Sequence, residues 1–251
     1  NATLLINERN ASSIYQWETN GSLNLYHQTQ ANDVDYNPSQ GSSAVWIAEH
    51  FSDDFKEITP GSGTGFDNSY NTPYAYPKHL TVYNNELLVM SRNTTDVYRY
   101  DFNGNQLSLF DVGGVAGQGM ATDGTNLFIS VWDGNNSVFQ EFDSSFNLLN
   151  NYINPVGLGV NNIFDFAFDT DTNSFFGLGT NGEGGTGTNS STIFEFEMGG
   201  NLLNTFNLNI SADGIGQFGQ SNTLIPEPKT LAIFALGIFL LSSLKRRAMV
   251  K

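Results

Sequence analysis

The chain contains three histidines, His27, His50 and His79, and no cysteine. Thiolate nucleophiles, zinc–thiolate sites and disulfide frameworks are therefore excluded. None of the histidines stands at a fixed spacing from a serine nucleophile or a second metal ligand. Each falls at a strand end or in a loop, where a solvated or singly hydrogen-bonded imidazole is expected. The sequence has no Gly-x-Ser-x-Gly elbow, His-Glu-x-x-His pair, Walker A loop or dinucleotide fingerprint. The glycine-rich stretches Gly113–Gly119 and Gly182–Gly187 lack a lysine to meet phosphate. Asp169-Thr170-Asp171-Thr172-Asn173 begins like a calcium loop, but Ser174 stands where that loop needs glycine and Thr180 where it needs glutamate. A turn between two strands is the reading its residue types favour, since Asp and Asn bond their own backbone there. Asp53-Asp54 and Asp133-Gly134-Asn135-Asn136 read in the same way. These acidic loops are the candidate calcium ligands, and no other cofactor is expected. Tyr70, Tyr74 and Tyr76 cluster between Pro60 and Pro77 in a segment rich in Gly, Ser and Asn. Tyrosine rings beside polar side chains suit the faces and hydroxyls of sugars, so these three form the candidate ligand-binding loop.

The elements that must position these residues repeat along the chain. Short apolar runs recur at Leu4–Ile6, Ala44–Ile47, Leu87–Met90, Leu127–Val131 and Phe175–Leu178, spaced by about 40–48 residues, a propeller-blade length. Most are followed by an alternating strand: Ile14–Trp17, Val97–Tyr100, Val138–Phe142 or Ile193–Phe196. Next comes a turn (Asn20-Gly21, Asn103-Gly104, Asp143–Ser145 or Gly199-Gly200) and a last strand: Leu23–Tyr26, Leu107–Phe110, Leu148–Tyr152 or Leu202–Phe206. Asn-Gly predicts a two-residue hairpin with positive φ at both positions. A further strand precedes each later run, at Val34–Tyr36, Leu80–Tyr83, Met120–Thr122 and Phe164–Phe168. Four antiparallel strands per unit predict an all-β fold, a β-propeller of about five four-stranded blades, because such sheets bury their faces only by stacking. The second unit reads as a reduced blade followed by a long loop over Pro60–Pro77. The first unit lacks its innermost strand, and the orphan fragment Ile215–Phe218 would complete it, closing the ring. Among the innermost strands Asp35 and Asp165 are inward-facing carboxylates, with Thr81 and Ala121 in the equivalent places of other units.

Charge narrows the partners. The chain carries 25 acidic against 10 basic residues, a formal net charge of −15. Half of the basic residues lie beyond residue 224, so the body is more acidic still and would be repelled by a phosphate backbone. Nucleic acid is excluded as its partner. An apolar share of 39% with 20 Phe and 10 Tyr supplies a core and argues against disorder. The domains expected are a propeller over 1–224 and a distinct tail over 225–251. The first residue is Asn1, as expected of a chain trimmed or relieved of an export leader.

The tail contains an uncharged run, Leu231–Leu244, followed by Lys245-Arg246-Arg247. As a helix the run spans about 21 Å, and counting from Glu227 gives about 27 Å, enough to cross a locally thinned bilayer. The basic cluster would hold the C-terminus on the cytoplasmic side and the acidic body outside. Pro226-Glu227-Pro228, the helix and the basic cluster together resemble the PEP-CTERM sorting signal of Gram-negative bacteria. That resemblance implies export, recognition by an exosortase-type membrane protease, removal of the tail, and delivery to the cell surface or an exopolysaccharide matrix. Four residues follow the basic cluster, slightly more than the pattern requires. The body is similar in general style to NHL, kelch and senescence-marker propellers, and lacks the blade motif of any one family. The function expected is that of an exported, non-enzymatic surface or matrix protein whose propeller binds polysaccharide or protein. The alternatives are a propeller hydrolase of lactonase or glycosidase type, and a membrane-anchored periplasmic binding protein whose tail stays on.

Overall fold

The computed structural model describes residues 3–8, 10–36, 45–49, 52–58, 66–73, 76–91, 94–153, 159–180, 190–198 and 201–218. The sorting motif Pro226–Pro228, the helix Leu231–Leu244, the basic cluster Lys245–Arg247, Tyr74 and His50 lie outside the described residues.

Among the described residues, twenty strands form five four-stranded antiparallel sheets. Blade 1 holds β1 (Thr3–Glu8), β2 (Ser13–Glu18) and β3 (Leu23–His27), and blade 2 holds β4 (Ala31–Tyr36), β5 (Val45–Glu49), β6 (Asp54–Ile58) and β7 (Asn68–Asn71). Blade 3 comprises β8 (Pro77–Tyr83), β9 (Glu86–Ser91), β10 (Asp96–Tyr100) and β11 (Gln106–Asp111). Blade 4 comprises β12 (Ala116–Thr122), β13 (Leu127–Trp132), β14 (Ser137–Phe142) and β15 (Leu148–Ile153), and blade 5 β16 (Asn162–Asp169), β17 (Ser174–Thr180), β18 (Ser190–Phe196) and β19 (Leu202–Ala212). The last strand, β20 (Gly214–Gln217), returns to blade 1 and pairs antiparallel with β1, Ile6 opposite Ile215. Its sheet order is β20-β1-β2-β3, so the ring closes within a blade built from both ends of the body. Strands β20, β4, β8, β12 and β16 are innermost and neighbour one another around the axis.

The pleat explains the apolar runs. Successive side chains on a strand point to opposite faces, and both faces of a blade are covered by its neighbours. Leu4 and Ile6 therefore pack toward blade 5 with Trp17, Phe176 and Leu178, whereas Leu5 packs toward blade 2 with Val34, Val45 and Ile47. In the same way Leu87 and Val89 face Trp46 and Phe55 of blade 2, and Leu88 and Met90 face Met120 and Ile129 of blade 4. A fifth cluster, centred on Phe139, Phe166 and Phe196, joins blades 4 and 5. Each apolar layer thus fills one gap between blades. Full burial of one such side chain stabilises by about 1.5–3 kcal/mol.

Three expectations are corrected. Blade 2 is complete: β7 lies inside the segment read as a long loop. It consists of polar Asn68, Ser69 and Asn71 with Tyr70, and its cross-strand bonds run from Asn68 to Glu57 and from Ser69 and Asn71 to Asp54. Hydrophobic periodicity does not register a strand held that way. The innermost strands begin three to four residues earlier than read in blades 2 to 4, because each contains a β-bulge that breaks the alternation. The Asn-Gly hairpins also take a different form. Gly104 has φ 78° while Asn103 does not have positive φ, and the Gly104 N–H donates to Asp101 O at 3.0 Å. Two consecutive positive φ values occur instead at Asn84 (53°) and Asn85 (60°), between β8 and β9.

Candidate functional site

The bulges set the geometry of the channel. In β4, β8 and β16 the register shifts immediately before Asp33, His79 and Asp165 respectively. A bulge re-aims the residue that follows it, and these three side chains meet at the axis. His79 Nδ1 lies 3.5 Å from Asp165 Oδ1 and 3.8 Å from Asp33 Oδ2, with all three side chains essentially inaccessible to solvent. The corresponding places in β12 and β20 are taken by Gly119 and Gly214. A Cβ on Gly119 would stand 2.6 Å from Asp165 Oδ1, and one on Gly214 would collide with Asn7 Oδ1 and come within 3.0 Å of the Asp33 Cα. Two glycines therefore provide the room in which three polar side chains converge.

The carboxylates also stitch innermost strands that have no sheet ladder between them. The Leu80 N–H donates to Asp33 Oδ2 at 2.8 Å, and the Ile215 N–H donates to Asp165 Oδ2 at 2.7 Å. Each aspartate accepts from the residue next in sequence as well, Val34 for Asp33 and Phe166 for Asp165. His79 differs: neither ring nitrogen has a hydrogen-bond partner, although the residue is fully buried. Burial, and then the charge of neighbouring Lys78, lower the imidazole's pKa to about 4, so it is neutral at neutral pH. Burial, and then the Asp165 carboxylate, push the Asp33 carboxyl well above its usual range. Two carboxylate oxygens and an imidazole nitrogen lying within 4.8 Å of one another are a donor set for a metal ion.

One layer along the channel, Asp35 accepts hydrogen bonds from Thr81 Oγ1 at 2.8 Å, Val82 N–H at 3.0 Å and Tyr36 N–H at 2.9 Å. Burial raises its pKa to about 6. Asp35 borders a shallow open depression with Thr81, Ala121, Ala167 and Gly216. Asp35 and Asp165 are therefore not equivalent positions, contrary to the sequence reading: Asp165 belongs with Asp33 and His79, and Asp35 with Thr81. The unseen bulges displaced the alignment.

The other sequence candidates fall elsewhere. Tyr70 lies in β7, its ring stacked on Trp46 (5.9 Å) and Phe55 (5.4 Å), while its hydroxyl donates to Phe102 O at 3.4 Å. Tyr76 is half exposed and its N–H donates to Asp53 Oδ1. Asp169 accepts from the Thr172 N–H at 2.9 Å and closes the β16–β17 turn, and Asp133 likewise accepts from the N–H groups of Asn135 and Asn136. His27 ends β3 and is buried. Sequence reasoning missed Asp33 and overlooked His79 as a site residue. A signal was present, since Asn32-Asp33, Lys78-His79 and Gln118-Gly119 all place polar or small residues just before the innermost apolar positions.

No family model and no curated relative matches the chain. Solved structures share its backbone course. A chain of the nidogen/laminin complex superposes with a TM-score of 0.58 at 13% identity, over 86% of this chain and 98% of that one. A gluconolactonase from Xanthomonas campestris gives 0.55 at 15% identity, over 84% and 74%. The virginiamycin B lyase from Staphylococcus aureus gives 0.49 at 13% identity, over 82% of this chain and 66% of the lyase, so the chain spans just under two thirds of that enzyme's length. At these identities the likeness is one of fold.

Proposed function

We propose that this chain is an exported, non-enzymatic propeller that binds polysaccharide or protein through its surface. Its tail would act as a PEP-CTERM-like signal, recognised by an exosortase-type protease at the membrane and directing the body to the cell surface or extracellular matrix. The observation that carries the non-enzymatic reading is the channel mouth. Among the described residues Asp35 is the only titratable side chain bordering it, and both of its oxygens already accept hydrogen bonds. Glycoside hydrolysis uses two carboxyl groups flanking the scissile bond, and the two further channel carboxylates are buried and engaged with backbone N–H groups. Supporting the sorting reading are Pro226-Glu227-Pro228, the uncharged run and Lys245-Arg246-Arg247, in that order. The strong negative charge favours neutral or cationic partners over polyanions.

The rival reading is a propeller hydrolase, a fold in which the gluconolactonase neighbour shows that such chemistry occurs. Co-sedimentation of the purified chain with neutral and acidic exopolysaccharides, alongside assays on lactones and nitrophenyl glycosides, separates the two. Retention on polysaccharide without turnover is the expected result. Turnover that disappears in Asp35→Asn would overturn the proposal.

A further inference from the structure

We propose that Asp33, His79 and Asp165 form a structural site for one divalent transition-metal cation of the zinc class, locking blades 2, 3 and 5 together at the propeller axis. Three observations on separate strands support this. The first is spacing: ligands about 2.1 Å from a tetrahedral ion stand roughly 3.4 Å apart, and His79 Nδ1 lies 3.5 and 3.8 Å from the two carboxylate oxygens. The second is His79 itself, fully buried, without a hydrogen-bond partner at either nitrogen, and directed at both aspartates. A buried polar group left in that condition costs about 1–3 kcal/mol, and coordination would remove the deficit at Nδ1. The third is orientation. Each aspartate is fixed by a backbone N–H of its own strand and one from the next blade, the kind of outer contact that holds a metal ligand in place.

Further buried acceptor capacity is nearby. Asn7 Oδ1 has no hydrogen-bond partner and sits beside Gly214, against the Asp33 backbone. An imidazole in the set favours first-row transition cations over calcium, which takes six to eight oxygens. A cation there would meet donors from three strands at once, since the two carboxyl groups and the imidazole nitrogen all lie within 4.8 Å of one another and are buried. The site is distinct from the calcium loops expected from sequence, whose aspartates bond their own turns.

The test uses the full 251-residue chain, purified in mild detergent, stripped with a chelator and titrated with zinc chloride alone. One zinc per chain should bind, and the melting temperature should rise by about 5–10 °C when free metal exceeds Kd a hundredfold. The rise should vanish in His79→Gln, and calcium or magnesium at the same concentration should produce none. An unchanged melting temperature would mean that Asp33 and Asp165 are held by a shared proton, and would overturn the proposal. So would an equal zinc effect in His79→Gln, which would place the metal on surface carboxylates. Should His79→Gln fail to fold, X-ray absorption of the zinc-loaded wild type decides. One imidazole nitrogen with carboxylate oxygens supports the site, and a shell without imidazole contradicts it.

Discussion

His79 Nδ1 and Asp165 Oδ1 approach to 3.5 Å although their strands, β8 and β16, are not neighbours in the ring. Strand β12 lies between them, and the contact passes across its Gly119. A Cβ there would lie 2.6 Å from the Asp165 carboxylate and 2.8 Å from the Phe166 nitrogen, and the latter is backbone that cannot rotate away. Gly119→Ala should therefore destabilise the propeller by about 1–3 kcal/mol, as overpacking does. Urea unfolding measures it, and a loss below about 0.5 kcal/mol, the range of ordinary surface substitutions, would show that the channel is looser than described.

Ring closure depends on Asp165 as well as on the β1–β20 ladder. Asp165→Ala leaves the buried N–H groups of Phe166 and Ile215 without their acceptor. The expected cost is about 2–6 kcal/mol, at roughly 1–3 for each orphaned donor. Hydrogen exchange at the Ile215 amide should accelerate before that of the outer blades, because β20 is the strand released. Unchanged protection of Ile215 would remove Asp165 from the closure.

Much of this architecture is legible in the sequence, for a physical reason. Runs such as Leu87–Met90 must be apolar on both faces because both faces meet another blade, so blade count and ring closure follow from composition. The channel is harder to read. Each functional residue follows a bulge, and a bulge shifts the period of two by one residue. Asp165 was thus aligned with Asp35, and His79 was placed at a strand end. Strand β7 escaped because Tyr70 is its one ring packed on the core, while side-chain amides and carboxylates hold Asn68, Ser69 and Asn71. The metal donor set comes from positions 46 and 86 residues apart, a separation that no local spacing pattern reports.

Two equivalent turns give a pH prediction. Asp101 accepts hydrogen bonds from the Asn105 side chain and from the N–H groups of Asn103 and Asn105, and Asp143 does the same with Asn147 and Ser145. The neighbouring asparagine side chain, followed by the backbone bonds, lowers each carboxylate's pKa below 3.8. A lowered folded value means that the stabilisation is present above the unfolded pKa and is lost as pH falls through the folded one. Asp101→Asn and Asp143→Asn should be less stable than wild type at pH 7, and the gap should narrow below about pH 3.8. A gap independent of pH would assign the effect to shape rather than charge.

Phe146 holds the left-handed conformation (φ 62°) that Gly104 holds in the equivalent turn. Its ring compensates by packing on Phe110 at 5.1 Å and Tyr83 at 5.9 Å, under the Arg99 guanidinium at 4.1 Å. Both Phe146→Ala and Phe146→Gly lose those contacts, but only glycine relieves the backbone. Phe146→Gly should therefore be more stable than Phe146→Ala by about 1 kcal/mol, while both remain below wild type. Thermal melts of the three proteins check the order, and an alanine variant equal to glycine would show that the turn carries no strain.

The central claim, that this propeller is delivered outside the cell by its tail and acts there through its surface, is tested most directly at the C-terminus. Mass spectrometry of the C-terminal peptide, from membrane and extracellular fractions of the native host, reads where the mature chain ends. A terminus at or near Pro226–Pro228 in the extracellular fraction is the predicted result. An intact Lys251 confined to the membrane fraction would contradict it and make the tail a permanent anchor.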